Sequence, residues 1–278
     1  MKTNMPASNS VYQLSDRQHL RTIKKFCICA VVLLLNSFAD PNLALAGSVS
    51  LNVAGVSELK ISALESELAK ANLIGFVGGK GLSNSEGTTR NFLGTQRLLF
   101  HGGGLNFYLY PNEDSDAHAS YPYRASDKNI KRINLLAKFL KKRNGLPVVL
   151  VGFSRGSVDV AQFAKSHSKD IAAIVILSGV YENDSRKAGD YSLNEIIGTE
   201  IGVPILGIHH SDDECRVTVP SEAEAFFDSL SAPKKKFVFL DGGRNTGRDC
   251  GPFHHHGFED IERQAVNQVV QWLKQFGK

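Results

Sequence analysis

The stretch Gly152-Phe153-Ser154-Arg155-Gly156 lies between the apolar run Pro147–Val151 and a helix-like pattern from Ser157 to Lys165. A strand, a sharp turn that holds a serine between two glycines, and a helix form the arrangement known as a nucleophile elbow. The serine adopts a strained backbone conformation, and glycines avoid collisions with the neighbouring strand and helix. The stretch therefore predicts that Ser154 presents its hydroxyl at the edge of a sheet.

Apolar runs of strand length recur along the chain, and nearly all lack alternation of apolar and polar residues. Continuous apolar strands are buried on both faces, as in a mostly parallel sheet. Helical patterns separate the runs, so the sequence predicts an α/β fold with helices on both faces of the sheet, a three-layer sandwich. The segment Leu59–Lys70 fits either a short helix or a strand and helix together. The runs are Ala71–Val77, Leu105–Tyr110, Pro147–Val151, Ile171–Leu177, Pro204–Ile208 and Lys236–Leu240.

Two helices are well defined by their patterns. The first begins at a cap, Ser126 or Asp127, and ends at Asn144-Gly145. The second is predicted from about Phe258 to Phe276 and carries an apolar stripe at helical spacing. Because that stripe should pack on the sheet, Trp272 is expected in the core rather than on a binding surface.

Two groups of polar residues follow predicted strands downstream of Ser154. The run Pro204–Ile208 leads into His209–Cys215, which contains three carboxylates, and Lys236–Leu240 leads through a glycine-rich loop into Cys250–Phe258, which contains three consecutive histidines. Side chains at the carboxyl ends of parallel strands meet in one crevice. A serine nucleophile needs a base and a carboxylate that orients the base, and the order serine, acid, histidine is characteristic of one fold.

With these motifs the chain resembles the α/β-hydrolase superfamily, and within it the small single-domain branch akin to dienelactone hydrolases. The resemblance covers about residue 71 to the C-terminus. It rests on the serine turn 152–156, on His209–Asp213 with Val219-Pro220 behind it, and on His256-Gly257-Phe258. It implies the α/β-hydrolase fold and a catalytic triad built from these three places.

The family pattern also ranks the acids and histidines of this chain. The acid is usually the last carboxylate of the turn, which indicates Asp213, with Asp212 as the second choice and Glu214 as a distant third. The family has a histidine, a small residue and a phenylalanine in sequence at the start of the last helix. In this chain the pattern falls on His256-Gly257-Phe258, which indicates His256 as the base and His255 as the second choice.

The resemblance further implies where an oxyanion would be held beside Ser154. One backbone donor is the N–H of Arg155, and the other comes from the turn Gly78–Gly81, at Gly79 or Lys80. Glycines at this turn allow backbone N–H groups to approach a substrate oxygen closely.

The histidines also permit a different interpretation, a zinc site. His254–His256, His209, His210 and nearby aspartates carry the ligand types that zinc prefers. Three consecutive histidines cannot all point in one direction, however, and the serine turn would then have no role. We therefore expect no metal and no cofactor.

Residues 1–46 are typical of an export signal rather than of the folded domain. A basic stretch at Arg17–Lys25 precedes the apolar run Phe26–Leu35, and Ala44-Leu45-Ala46 matches the small-residue pattern of a signal-peptidase site. An uncleaved anchor or a buried segment would also fit, although the run is short for a bilayer span. We expect a bacterial signal peptide over 1–46, an α/β-hydrolase domain over 47–278, and a periplasmic or secreted location.

Cysteine usage agrees with export. Cys27 and Cys29 lie in the predicted signal, so the mature chain keeps Cys215 and Cys250. An even pair in an oxidising compartment is a disulfide candidate, with two free buried thiols as the alternative. Because Cys215 lies in the acid turn and Cys250 in the histidine loop, a bridge would tie the two together.

Removal of residues 1–46 takes away five basic and two acidic residues, so the formal net charge falls from +4 to +1. The mature chain has no basic stripe with interleaved aromatic residues, so we expect no nucleic-acid partner. No contact with a membrane is expected after signal cleavage. The oligomeric state is unknown from the sequence.

The sequence thus predicts an exported serine hydrolase that cleaves a small-molecule ester or related acyl bond through an acyl-serine intermediate. The same triad would serve a peptidase or amidase, because specificity depends on the loops. Two other interpretations are a non-catalytic α/β-hydrolase scaffold that binds a ligand or partner, and a metal-dependent hydrolase. The segment from Tyr181 to Val203 allows only a small lid, so an open site shaped by this segment is expected.

Overall fold

The computed structural model describes Leu59 and residues 61–84, 86–113 and 118–276. The predicted signal peptide lies outside these residues, so it stays a prediction, as does the domain boundary at residue 46. Within the described part of the chain, no helix is long and apolar enough to cross a membrane.

The core of the fold is one seven-stranded sheet. Its strands are β1 (Ser62–Leu64), β2 (Ala71–Phe76), β3 (Leu105–Leu109), β4 (Val148–Phe153), β5 (Ala173–Leu177), β6 (Ile205–His210) and β7 (Lys235–Leu240). The spatial order is β1-β3-β2-β4-β5-β6-β7, and only β1 pairs antiparallel with its neighbour. The predicted mostly parallel sheet is confirmed, and the segment left open in the sequence contributes strand β1 followed by a turn.

The register places the serine turn at the centre of the sheet. Gly152 near the end of β4 lies opposite Phe76 of β2 and Ile176 of β5. Strands β2, β4, β5 and β6 therefore end at the same edge, and the residues that follow them share one crevice.

Helices connect the strands. Among the described residues they are α1 (Phe92–Thr95), α2 (Arg97–Gly102), α3 (Tyr121–Arg124), α4 (Asp127–Asn144), α5 (Ser157–His167), α6 (Leu193–Ile197), α7 (Pro220–Ser229) and α8 (Glu262–Leu273). Helix α4 agrees with the prediction, because Ser126 Oγ accepts the N–H of Asn129 and Gly145 ends the helix at φ 72°.

The last helix begins later than predicted. Phe258 and Asp260 adopt positive φ angles of 59° and 67°, which are incompatible with a right-handed helix, so α8 begins at Glu262. Its inner face is buried as expected, and Trp272 is 6% exposed in the core.

Side chains alternate between two hydrophobic cores along the central strands. Val148 and Leu150 of β4 pack in one core with α4 and α5, whereas Val149, Val151 and Phe153 pack in the other core with α8. Burial on both faces explains the continuous apolar runs and confirms the three-layer arrangement.

Candidate active site

Ser154 occupies the strained turn that the sequence predicts. It follows β4, has φ 52° and opens a single 3₁₀ turn, Ser154–Gly156, that leads into α5. A Cβ atom at Gly152 would lie 2.6 Å from the carbonyl oxygen of Gly156, and one at Gly156 would overlap the carbonyl oxygen of Phe76. The glycines are therefore required by close backbone contacts, and they allow the turn to hold the serine at the sheet edge.

Asp213 and His256 form a buried pair. The Nδ1–H of His256 donates to Asp213 Oδ2 at 2.9 Å, which leaves Nε2 as the basic nitrogen. Nε2 is buried and has no hydrogen-bond partner among the described residues. The ring packs against Phe153, the residue before Ser154, at a centroid distance of 5.1 Å. The geometry therefore leaves a free proton acceptor in a ring that contacts the serine turn.

The environment of Asp213 keeps it ionised. Burial alone would raise the pKa of this carboxyl, but the charge of His256 and hydrogen bonds from His209 and His256 outweigh it and hold the pKa well below its usual range. The Cys215 N–H donates to Oδ1 at 2.9 Å and the Thr218 hydroxyl donates to Oδ2 at 2.9 Å. A carboxylate held in this way keeps one orientation toward the histidine.

Thr218 and Ser178 were missed in the sequence, and His209 was considered there only as part of the acid motif and as a zinc ligand. Thr218 Oγ1 lies 3.1 Å from His256 Nδ1, and His209 Nε2 lies 2.8 Å from the Thr218 carbonyl oxygen and 3.2 Å from Asp213 Oδ2. Ser178 Oγ donates to the His256 carbonyl oxygen at 2.9 Å. Ser178 had a usable signal, since it directly follows a strand that ends at the same edge as β4.

The second choices for acid and base lie elsewhere. Asp212 is exposed, and its backbone carbonyl accepts from His255 Nδ1 at 3.1 Å. The His255 ring stacks on His210 with centroids 4.2 Å apart. The structure thus brings together Asp213 with His256, whereas Asp212 is exposed and hydrogen-bonds to His255 through its backbone.

The histidines suggested as zinc ligands are largely engaged in hydrogen bonds. His210 accepts from the Asp212 N–H at 3.0 Å and donates to the Gly242 carbonyl oxygen at 2.7 Å, and burial lowers its pKa. Glu214, His254 and His255 bring potential ligand atoms within 4.8 Å of one another, but His254 Nε2 and Glu214 already pair at 3.0 Å.

The turn after β2 lies directly beside the serine. A Cβ atom at Gly78 would approach the Cβ of Ser154 to 2.8 Å, so only glycine allows this contact. Gly79 has φ 57°, and the Gly81 N–H closes the turn on the Gly78 carbonyl oxygen at 3.1 Å. Gly79 and Lys80, for which a role as oxyanion donors is predicted, therefore belong to a turn that contacts Ser154.

A buried ion pair between Arg124 and Asp159 contacts the residue before this turn. The Arg124 guanidinium pairs with Asp159 of α5 and also donates to the carbonyl oxygens of Val77 at 3.0 Å and Ala119 at 3.1 Å. Burial raises the pKa of Asp159, and Arg124 opposes that shift. Asn129 donates to the same carboxylate at 2.8 Å. Arg124 therefore joins the residue before Gly78 to the helix that carries the serine turn.

Replacement of Arg124 by leucine is expected to lower the free energy of unfolding by about 3 to 5 kcal/mol, because it leaves the Asp159 charge buried without its partner. Urea denaturation monitored by tryptophan fluorescence would measure the loss. The double variant Arg124→Leu, Asp159→Leu should recover part of it, because no unpaired charge then remains. A single variant as stable as the wild type would contradict this account of the pair.

A cavity of about 590 Å³ opens beside the serine turn. It is lined by Gly79 and Lys80 on one side and by Arg155 and Tyr121 on another. His118, Ser120 and Pro122 line it as well, and the segment 181–203, from which we expected an influence on the site, contributes four lining residues between 186 and 191. Arg155, Gly79 and Lys80, the three predicted oxyanion-hole residues, therefore border one open space.

The acid turn and the histidine loop are joined covalently. Cys215 and Cys250 form a disulfide, as predicted from the even pair of cysteines. Cys215 is buried two residues after Asp213, whereas Cys250 is exposed six residues before His256. The bridge therefore limits the separation of the two segments that carry Asp213 and His256.

Reduction of the Cys215–Cys250 bridge is expected to lower the free energy of unfolding by about 4 kcal/mol, from the loop entropy of a 35-residue separation. The activity should fall with it, since the histidine loop gains freedom. Denaturant titrations with and without dithiothreitol, beside a Cys215→Ser, Cys250→Ser variant, would measure both effects. Identical transition midpoints in oxidised and reduced protein would show that the bridge adds no stability.

Comparisons with known proteins support the architecture. No family model matches the chain, and no curated protein matches it in sequence. A dienelactone hydrolase from Anabaena variabilis superposes with a TM-score of 0.58 at 16% identity. The superposition covers 84% of this chain and 98% of that chain. An α/β serine hydrolase without a lid from Xanthomonas campestris superposes with a TM-score of 0.55 at 14% identity. The superposition covers 81% of this chain and 94% of that chain.

An esterase from Thermogutta terrifontis that is phosphoramylated by tabun superposes with a TM-score of 0.58 at 13% identity, and the superposition covers 84% of this chain and 95% of that chain. At such low identities the likeness concerns the fold. The sheet order, the position of the serine turn and these superpositions agree with the resemblance seen in the sequence. The chain has the α/β-hydrolase fold, and its structural relatives include a dienelactone hydrolase.

Proposed function

We propose that this protein is an exported serine hydrolase that cleaves an ester or related acyl bond of a small molecule. The proposal rests on one observation above all, the buried Asp213–His256 pair. The Nε2 of His256 has no partner among the described residues, and its ring packs against Phe153, directly before Ser154. A nucleophile, a base and a group that orients the base are the minimum for this chemistry.

In the first half of the proposed reaction, Ser154 Oγ attacks the carbonyl carbon while its proton passes to His256 Nε2. The tetrahedral oxyanion accepts hydrogen bonds from the N–H of Arg155 and from one at Gly79 or Lys80. When the intermediate collapses, the bond to the leaving alcohol breaks and Nε2 returns the proton to the alcohol oxygen. The acyl group then remains on Ser154 as an ester.

In the second half, His256 Nε2 removes a proton from water as the water oxygen attacks the acyl carbon. Collapse of this second oxyanion breaks the bond to Ser154 Oγ, which recovers its proton from Nε2. The products are a carboxylic acid and the free enzyme. Asp213 stays ionised throughout, in keeping with its low pKa, and stabilises the imidazolium that forms in each half.

Export is part of the proposal and has separate support. The basic and apolar pattern of residues 1–46 is typical of a secretory signal. The Cys215–Cys250 disulfide fits an oxidising compartment such as the periplasm or the extracellular medium. The proposed location is therefore periplasmic or secreted.

A matched pair of substrates tests the reaction class. We expect 4-nitrophenyl butyrate to be hydrolysed much faster than butyryl-4-nitroanilide, with a burst of nitrophenol equal to the enzyme concentration and a butyryl group on Ser154 detected by mass spectrometry. Preferred cleavage of the anilide would establish an amidase instead. Activity abolished by EDTA would favour a metal-dependent hydrolase, and no turnover of either substrate by the folded protein would favour a binding scaffold.

A further inference from the structure

The cavity beside the serine turn is surrounded by positive charge. Lys80, Arg155, Arg186 and Lys187 line it, and Asp190 is the one carboxylate among its described lining residues. None of the four cations forms a salt bridge with another described residue. Cations gathered around a concave surface without anionic partners produce a local field that attracts anions.

One of these cations is fixed in place by the cavity wall. The Arg155 guanidinium lies 4.4 Å above the ring of Tyr121, and that ring stacks on Tyr191 with centroids 5.9 Å apart. Its Nε is buried and has no hydrogen-bond partner within the described part of the chain. Stacking of this kind holds a guanidinium in one plane, which suits recognition of a carboxylate or a phosphate.

The other cations are placed around Arg155. Lys80 belongs to the turn that follows β2, and Arg186 and Lys187 belong to the segment between β5 and β6. All three are exposed, so each is expected to contribute a modest, salt-sensitive attraction rather than a tight ion pair. Together they form a rim around the fixed guanidinium.

The position of the cavity indicates which part of a substrate it receives. It borders Gly79, Lys80 and Arg155, the residues proposed to hold the oxyanion, and no residue of the His256 loop is among its described lining residues. In the proposed reaction His256 protonates the leaving alcohol, so that alcohol lies toward His256. Because the cavity borders the proposed oxyanion donors and not the His256 loop, it is the place for the acyl group.

Building on the proposed function, we propose that this cavity binds an acyl group that carries a negative charge, supplied by a carboxylate or a phosphate. The preferred substrates are then esters of acids with a second, anionic group remote from the scissile bond. Arg155 holds that group, and Lys80, Arg186 and Lys187 attract it.

A series of 4-nitrophenyl esters with six-carbon acyl chains tests the proposal. The chains end in a methyl group (hexanoate), a carboxylate (adipate half-ester), a phosphonate or a trimethylammonium group. We expect kcat/KM for the adipate half-ester or the phosphonate to exceed that for hexanoate by about tenfold at low salt, and the cationic ester to be the poorest. The two anionic arms show whether carboxylate or phosphonate is preferred.

Two double variants that each remove two positive charges distinguish an effect of the cavity cations from an effect of the net charge of the protein. The variant Arg186→Gln, Lys187→Gln should reduce the ratio of anionic to neutral kcat/KM by about threefold, since Arg155 and Lys80 remain, and about 0.5 M salt should reduce it similarly in the wild type. The control variant Lys131→Gln, Lys138→Gln removes two exposed cations of α4 and should keep the ratio. A wild-type ratio of one or below, or a ratio equal in both double variants, would overturn the proposal.

A binding experiment keeps this test independent of catalysis. With the Ser154→Ala variant, ligand-observed NMR should detect monomethyl adipate more strongly than methyl hexanoate, with a signal that weakens in added salt and on loss of Arg186 and Lys187. If no ester is hydrolysed but this preference is present, the proposed reaction fails and the anionic cavity stands. Equal binding of the two esters would overturn the cavity assignment whether or not the esters are hydrolysed.

Discussion

Replacement of Ser154 by alanine is expected to lower kcat for ester hydrolysis by roughly 10⁵-fold or more, because the attacking oxygen is removed and no covalent intermediate can form. The residual rate would come from binding and from the backbone donors at Arg155 and the Gly78–Gly81 turn. Steady-state kinetics with 4-nitrophenyl butyrate would measure the loss.

The fold should survive the Ser154→Ala change, because the backbone at residue 154 already holds a non-glycine residue at φ 52°. Circular dichroism and the unfolding midpoint would verify this. Ser166→Ala, an exposed position near the end of α5, is the matched control and should retain the wild-type rate. Full activity in a folded Ser154→Ala variant would assign the reaction to another nucleophile.

Replacement of Asp213 by asparagine is expected to lower kcat by about 10⁴-fold. An amide at this position can donate to His256 Nδ1, which moves the proton to Nε2 and leaves the base unable to accept the proton of Ser154. Asp212→Asn is the control, because the Asp212 carboxylate is exposed and the hydrogen bonds of this residue to His255 and His210 come from its backbone. Equal losses in the two variants would contradict the choice of Asp213 as the acid.

The contribution of Asp213 to the free energy of unfolding should depend on pH, and the Asp213→Asn variant measures it. The pKa of Asp213 is lower in the folded protein than in the unfolded chain, where it is about 3.9. The ionised carboxylate therefore stabilises the fold above about pH 4, and this contribution is lost as the pH falls below that value. The difference in free energy of unfolding between wild type and Asp213→Asn should shrink in the same range. A difference that stays constant down to about pH 2 would contradict the lowered pKa.

The parts of the fold that follow from local patterns could be predicted from the sequence. The glycines around Ser154 are demanded by backbone contacts within one turn, and the continuous apolar runs reflect burial on both faces of the sheet. Helix α4 carries both of its caps in its own sequence. These features depend on residues close together in the chain, so a single sequence is enough to predict them.

Features that depend on distant contacts could not be predicted. His209 and His210 look like loop residues, yet β6 continues through both, and their Nε2 atoms lie within hydrogen-bond distance of the carbonyl oxygens of Thr218 and Gly242. The pairing of Arg124 with Asp159 turns two apparently surface charges into a buried link. Such contacts join residues far apart in the chain, and one sequence carries no record of them.

The choice between neighbouring acids and neighbouring histidines has the same origin. Asp212 and Asp213 differ by one position, and only the turn geometry after β6 directs Asp213 inward and leaves Asp212 exposed. His255 and His256 lie in one 3₁₀ turn, and the left-handed Phe258 after it sets where that turn ends. Family resemblance placed Asp213 and His256 first, and these are the two residues that form the buried pair, while their catalytic roles are proposals.

The most direct test of the central claim is labelling of the purified protein with a fluorophosphonate probe, beside Ser154→Ala and Asp213→Asn variants. The account predicts that the wild type is labelled at Ser154, that the alanine variant is not labelled, and that the asparagine variant reacts far more slowly. A folded wild type that resists the probe, or an alanine variant that still takes the label, would contradict an activated serine at position 154.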